Sequence, residues 1–342
     1  MKAFTRRNVD RSQQIRLAVQ LFFGLIAVWV GVQFYLWVRY YETGGRAMKV
    51  TRPDGVEAWL PIASLMNLKA FILTRSVPEM HAAGMFMLIA FVGISFLYRK
   101  SFCSWVCPIG TLSEWLWQTG QALFTRTFTL PRWIDLPLRS LKYILLALFL
   151  YVVIAMPVPE IRAFLNSPYG IVADVKMLNF FREMTEGTAV FLAVITALSL
   201  VVKNAWCRFL CPYGALMGIV ALVSPMRIMR NADACIDCAK CAKACPAGLP
   251  VDVLLSVKSA ECTACMSCVA ICPAAGALDL RTGLSRRRSA VVPPWALAAG
   301  ILVLFLGIVG YARVEGYWHT SLPDVLYSEL IPNASTYSHP GR

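Results

Sequence analysis

The chain is short of charge and of histidine. Only 15% of its residues are charged against 58% hydrophobic, and His81, His319 and His339 are its 3 histidines. So little charge excludes an ordinary soluble globule. Three histidines and no C-x-x-C-H exclude c-type haem and argue against a bis-histidine haem. No cysteine is left over, since all 12 fall into four motifs. That economy points to a reducing compartment with metal-bound or redox-active thiols, not to a disulfide framework. Acidic residues are scarce too, 19 against 33 basic, for a net charge of +14. The excess does not imply nucleic acid, because the basic residues flank apolar runs.

What is present centres on residues 235–273. CIDCAKCAKACP is followed by fifteen residues and then CTACMSCVAICP. Each half is C-x2-C-x2-C-x3-C-P, the thiolate run of bacterial-type ferredoxins, in which the fourth cysteine ligates the other cluster. Cluster I is therefore expected on Cys235, Cys238, Cys241 and Cys272, and cluster II on Cys262, Cys265, Cys268 and Cys245. Both would be [4Fe–4S] clusters. A zinc site would more usually use two separated C-x2-C pairs. Pro246 and Pro273 fix the chain's exit from each run.

Five apolar runs are expected to span a membrane: Leu17 to Val38, about His81 to Tyr98, Leu141 to Met156, about Ala189 to Val202, and about Ala290 to Tyr311. Between the first two, Trp59 to Leu73 reads as a helix lying on the membrane surface. Segments 1–16, 99–142 and 203–290 hold 22 basic and 8 acidic residues, whereas 39–80, 159–187 and 313–342 hold 11 of each. The positive-inside rule puts the first set in the cytoplasm. The N-terminus and clusters then face the cytoplasm of a bacterial inner membrane, and the C-terminus faces the periplasm. Arg286, Arg287 and Arg288 would meet anionic headgroups.

FCSWVCPIG and WCRFLCPYG carry one motif, C-x3-C-P-x-G, 104 residues apart. Each follows an apolar run. The pieces match in order and in membrane side, as two parallel repeats of two spans would. The axis relating them could bring Cys103, Cys107, Cys207 and Cys211 together. The prolines suit the first turn of a helix, whose dipole would favour a thiolate at Cys107 and Cys211. Three readings stay open for these four cysteines. They hold a third metal or iron–sulfur centre, they form a thiol–disulfide pair, or they are small buried residues at tight turns.

The expected fold is a mainly α-helical polytopic membrane protein of about five transmembrane helices. Its divisions are a first membrane repeat (1–130), a second (131–228), an inserted cytoplasmic two-[4Fe–4S] ferredoxin-like α+β domain (229–288), a fifth transmembrane helix (289–312) and a periplasmic tail (313–342). The apolar runs, the paired C-x3-C-P motifs and the tandem ferredoxin segment together resemble the NapH, NosR and CcoG family of membrane-bound polyferredoxins. WVRYYET, AWLPIASLMNLK and WCRFLCPYGALMG are similar to the YccM-type members. The resemblance implies an inner-membrane electron-transfer protein with two cytoplasmic clusters. It also implies a link to the quinone pool and a redox partner protein. An electron carrier is favoured over a stand-alone enzyme. The alternatives are a metal-ion reductase, for example of cupric ion, and an electron-donating maturation factor for another membrane enzyme. His81 opens the second apolar run and reads as a capping or interfacial histidine, with a proton relay to a quinone as the alternative.

Overall fold

The computed structural model describes residues 5–6, 10–124, 130–283, 289–320 and 322–340. Lys2, Arg7 and the Arg286, Arg287 and Arg288 run lie outside the described residues. The helices are α1 (Ser12–Glu42), α2 (Pro61–Thr74), α3 (Ala82–Leu97), α4 (Pro108–Phe124), α5 (Arg132–Ala155), α6 (Val158–Leu165), α7 (Pro168–Ile171), α8 (Ala173–Arg182), α9 (Glu186–Val201) and α10 (Pro212–Val220). Then come strand β1 (Met226–Arg230), α11 (Lys240–Ala244), α12 (Ser267–Ala270), strand β2 (Leu278–Thr282), α13 (Pro294–Val314) and α14 (Asp324–Leu330).

Among the described residues three helices are long and apolar enough to cross a membrane: α1, α5 from Trp133, and α13. The α8 and α9 pair, bent by 79°, meets the same standard if taken together. Helix α3 is apolar but has only 16 residues, short of the roughly 20 that span a bilayer at 1.5 Å per residue. Left-handed residues follow both short helices, Arg99 (φ 62°) after α3 and Asn204 (φ 52°) after α9. A residue in that conformation stops a helix. The apolar middle of the first loop is helical, as α2, and begins with Pro61 at its first position, where a missing N–H costs nothing.

The chain forms two compact units. One comprises residues 1–24, 91–146 and 192–304, and the other 25–90, 147–191 and 305–342. Helices α1, α3, α5, α9 and α13 contribute residues to both.

The first unit contains all 12 cysteines. Its sheet is one antiparallel pair, β1 on β2, with Ile228 opposite Leu280. Ile228, Leu278 and Leu280 are fully buried, so the sheet presents an apolar face to the cysteine loops. Gly120 of α4 lies so close to α9 that a Cβ there would collide with the Leu200 carbonyl. Gly300 of α13 leaves room for the Tyr98 ring in the same way.

Among the described residues the second unit has these two apolar clusters. Phe34, Trp37, Val38 and Tyr41 of α1 pack with Val172, Val175 and, from α14, Tyr327 and Leu330. Met66 and Ala70 of α2 pack with Met80, Val153, Ile161 and Leu165. Among these lies a buried ionic group. Arg52 bonds Asp54 at 3.0 Å, Glu57 at 3.0 Å and Asp174 at 2.7 Å. His81 is 1% exposed, wedged between Glu57 (3.3 Å) and the Gly170 carbonyl (2.9 Å). It directly precedes α3 but is an interior residue rather than an interfacial one, because an acidic partner and a carbonyl satisfy both ring nitrogens.

Candidate functional site

Both ferredoxin runs fold with the same backbone device. Asp237 and Ala239 flank Cys238 with φ of 54°, and Ala264 (49°) and Met266 (59°) flank Cys265. Left-handed residues in such loops can turn backbone N–H groups inward, a nest that suits an anionic cluster. The left-handed conformation costs a non-glycine residue about 1–2 kcal/mol, so it persists only where the surroundings impose it.

Cys245, Cys262, Cys265 and Cys268 line one small apolar cavity with Ile228 and Val257. These are the four thiols expected for cluster II. Burial, with Cys265 and Cys262 adding to it, raises Cys245 to about 11. Burial pushes Cys268 well up as well, with the same neighbours adding to it. Cys241 is raised by burial and by Asp252 and Cys272, so the last cysteine of the second run lies near the first run's third. Cys238 is exposed, whereas Cys245, Cys265 and Cys268 are buried. Four soft thiols around one cavity fit an iron–sulfur cluster, and desolvation that penalises the free thiolate is relieved once iron binds it.

The two C-x3-C-P segments are folded alike. Residues Phe102–Val106 and Trp206–Leu210 each make a π-turn. The Cys107 N–H donates to the Phe102 carbonyl at 2.9 Å, and that of Cys211 to the Trp206 carbonyl at 3.1 Å. Such single turns are rare in helices and recur at functional sites. Pro108 and Pro212 then open α4 and α10. The packing is reciprocal, since the first π-turn lies against α10 and the second against α4.

This arrangement brings Cys103, Cys107, Cys207 and Cys211 together. Cys103 feels Cys107 and Cys211, and Cys207 feels all three others. The expected stabilisation of a thiolate is outweighed. Burial lifts Cys103 to about 12 and Cys107 to about 11, despite Lys100 beside the first and the N–H groups of Gly110 and Ile109 on the second. Cys211 is also raised by burial, although it accepts from the Gly214 N–H at 3.3 Å. Among the described residues no group of three or more His, Cys, Asp or Glu is arranged to hold a single metal ion. The donor set, four soft half-buried thiols, fits a multi-iron cluster instead, which spreads its four thiolates wider than one ion does.

The thiol group abuts the cluster II loop directly. Ser104 Oγ donates to the Thr263 carbonyl at 2.6 Å, and Trp105 Nε1 donates to the Ala264 carbonyl at 3.1 Å. Gln13 donates to the Cys265 carbonyl at 3.0 Å. Glu261, next to Cys262, takes 2.7 and 2.6 Å bonds from Lys142 Nζ and 3.0 Å from Tyr143. Lys100 Nζ lies 3.8 Å from the same carboxylate. Burial would raise Glu261, but Lys100 and Lys142 outweigh it and hold it below the usual range. Arg208, adjacent to Cys207, is paired with Asp135 at 2.7 Å. Lys142 and Glu261 were not singled out in the sequence, where one lysine opens an apolar run and one glutamate ends a spacer.

Gly110 is needed where it stands. A Cβ there would collide with the Cys103 carbonyl, whereas a Cβ on Gly214 would meet the Cys207 carbonyl at an ordinary 3.6 Å. Gly110→Ala is expected to cost about 1–3 kcal/mol by overpacking and to disturb the Cys103–Cys107 turn, while Gly214→Ala stays within about 1 kcal/mol. Thermal midpoints of the purified variants check this, and equal midpoints would contradict it.

The family described as "4Fe-4S binding domain" matches residues 80–131 and 187–229, each stretch holding one C-x3-C-P motif. The family described as "4Fe-4S dicluster domain" matches residues 227–273. The chain is 47% identical over 326 residues to the "Putative electron transport protein YccM" of Escherichia coli (strain K12), covering 95% of this chain and 91% of that protein. It is 27% identical over 197 residues to the "Ferredoxin-type protein NapH" of the same strain, covering 56% of this chain and 62% of NapH. It is 28% identical over 153 residues to the "Methylamine utilization ferredoxin-type protein MauN" of Paracoccus denitrificans (strain Pd 1222), covering 43% of this chain and 48% of MauN. No solved structure matches.

Proposed function

The chain belongs to the family of YccM-type electron transport proteins, related to the ferredoxin-type protein NapH, and from this we propose that it is a three-centre electron wire in the bacterial inner membrane. Cys103, Cys107, Cys207 and Cys211 hold the first centre, contributed in pairs by two parallel repeats. Cys262, Cys265, Cys268 and Cys245 hold the second, and Cys235, Cys238, Cys241 and Cys272 the third. Bound iron–sulfur clusters supply one-electron steps. The observation that carries the reading is the pair of hydrogen bonds from Ser104 and Trp105 to Thr263 and Ala264, inside the cluster II loop. They fix the spacing between the C-x3-C pair and that loop. The exposure of Cys238 supports a contact with a soluble redox partner at the third centre.

The chain's own residues set the conditions for transfer. Lys100 and Lys142 bring positive charge to the first centre, and Glu261 ties it to the loop of the second. Apolar Ile228 and Val257 keep water from the second, and such a shell controls dielectric and potential. Helices α1, α5 and α13 are long and apolar enough to hold the chain in the bilayer; with the shorter α3 and α9 as the two further crossings, all the clusters lie on the cytoplasmic side, where the basic segments are, and the C-terminus lies in the periplasm. The electron donor is a membrane hydroquinone.

A short-chain hydroquinone is expected to reduce the clusters of the wild-type protein in detergent. Cys103→Ala should lose that reduction while the ferredoxin clusters still respond to dithionite. Equal hydroquinone-driven rates in the two proteins would refute entry through the C-x3-C centre.

A further inference from the structure

The first turns of α1 carry a polar stripe that faces inward. Gln13, Arg16 and Gln20 recur at the three- and four-residue spacing of one helix face, and Arg16 and Gln20 are 6% and 3% exposed. Leu17 and Leu21 are exposed. The start of α1 is thus polar toward the protein and apolar outward, the reverse of a soluble surface helix. In the sequence Arg16 is one more basic residue ahead of the first apolar run, and the structure buries it instead.

Each residue of the stripe meets a cysteine-bearing loop or α4. Gln13 Nε2 donates to the Cys265 carbonyl at 3.0 Å. One turn on, Arg16 lies within electrostatic reach of the Cys265 thiol. Its Nη1 and Nη2 donate to the two oxygens of Glu114, on α4, at 2.8 and 2.5 Å. Glu114 also accepts from Gln20 and from Gln118, each at 3.2 Å. Gln20 donates as well to the Ser104 carbonyl at 2.9 Å, inside the first C-x3-C-P turn. The carboxylate therefore takes the two terminal nitrogens of the guanidinium and leaves the third. Arg16 Nε is buried and has no hydrogen-bond partner among the described residues.

Fastening α1 to α4 does not account for this. A buried ion pair is a weak source of stability, and a buried N–H without an acceptor is costly. The acceptor that fits is sulfur of the second centre. Cys265 lines the cavity shared by that centre's four cysteines, and a cysteine sulfur bound to iron is a thiolate, an anionic acceptor. Reduction adds one electron, and so one more negative charge, to such a centre. Hydrogen bonds to its sulfurs favour the reduced form and are among the levers on its potential.

We infer that Arg16 donates its Nε–H to a sulfur of the second centre, on the Cys265 side, and raises that centre's reduction potential, while Glu114 fixes the guanidinium and offsets its charge. This rests on the second centre of the proposed function. Arg16 keeps its proton in both redox states, because a guanidinium stays charged in proteins.

The test uses the full-length, cluster-loaded protein in detergent, titrated with dithionite and mediators while EPR follows each centre. The second centre is the signal that changes in Cys268→Ser, and the third centre is the internal reference, whose midpoint should not move. Arg16→Met with Glu114→Gln removes both charges together, so that neither is left buried alone. The reduction equilibrium of the second centre is expected to fall about tenfold, the scale of one hydrogen bond to a charged group, which is about 59 mV for a one-electron couple. Glu114→Gln alone should move the same midpoint upward, because the guanidinium then faces the centre without its counter-charge. A merely structural pair would not give shifts of opposite sign. An unmoved midpoint in the double variant would overturn the inference. Should that variant lose its second centre, Glu114→Gln decides, and a midpoint that fails to rise would overturn it. A wild-type protein with iron at the third centre and none on Cys262, Cys265, Cys268 and Cys245 would overturn the second centre itself.

Discussion

Replacing Cys107 and Cys211 together by serine is expected to lower the iron content from about twelve to about eight per chain, because three four-iron centres become two. The ferredoxin signals should survive, since Cys235 to Cys272 lie on other loops. The effect follows from geometry that no single motif contains. Cys107 and Cys211 come from turns 104 residues apart, yet each π-turn packs on the helix that follows the other. Removing both leaves Cys103 and Cys207, too few thiolates to hold a cluster. Serine fills almost the same volume, so the turns should stay folded. If the double variant kept all its iron, these cysteines would be small buried residues at turns and nothing more.

Glu261→Gln is expected to destabilise the first unit by about 3–5 kcal/mol, the usual result of stripping one partner from a buried ion pair. Lys142 is 0% exposed and its amine bonds both carboxylate oxygens. Lys100, 3% exposed, loses its nearest anion at the same time. Two buried ammonium groups would then face each other without a counter-charge. The midpoint of thermal bleaching of the clusters measures the loss. Adding Lys142→Met should restore much of it, because a methionine of similar length removes the orphaned charge. An unchanged midpoint in Glu261→Gln would mean that the pair contributes nothing.

These two residues mark where the sequence stops being informative. The cysteine runs stand out in the sequence because cluster ligation demands fixed local spacing, and the structure places the thiols of the second run around one cavity with Cys245. The meeting of the four C-x3-C-P cysteines was legible from the repeat, since equal motifs at equal places in two halves can be related by one axis. Their ionisation was not. Pro108 and Lys100 suggest a stabilised thiolate, but depth decides the outcome, and depth depends on packing from distant segments. The same holds for Glu261, whose partners lie at 100, 142 and 143. It holds again for Arg52, which looks like one more loop cation until Asp174 arrives from the far side of the chain. Helix lengths were legible too: the apolar runs from about His81 to Tyr98 and from about Ala189 to Val202 correspond closely to α3 and α9, and left-handed Arg99 and Asn204 stop them.

The central claim is that the chain carries a third iron–sulfur centre on Cys103, Cys107, Cys207 and Cys211. Iron and acid-labile sulfide, measured on the purified wild-type protein with EPR of the fully reduced state, test it most directly. The expected result is about twelve irons and twelve sulfides per chain with three reducible centres. About eight of each, with two centres fully accounted for by the ferredoxin cysteines, would contradict it.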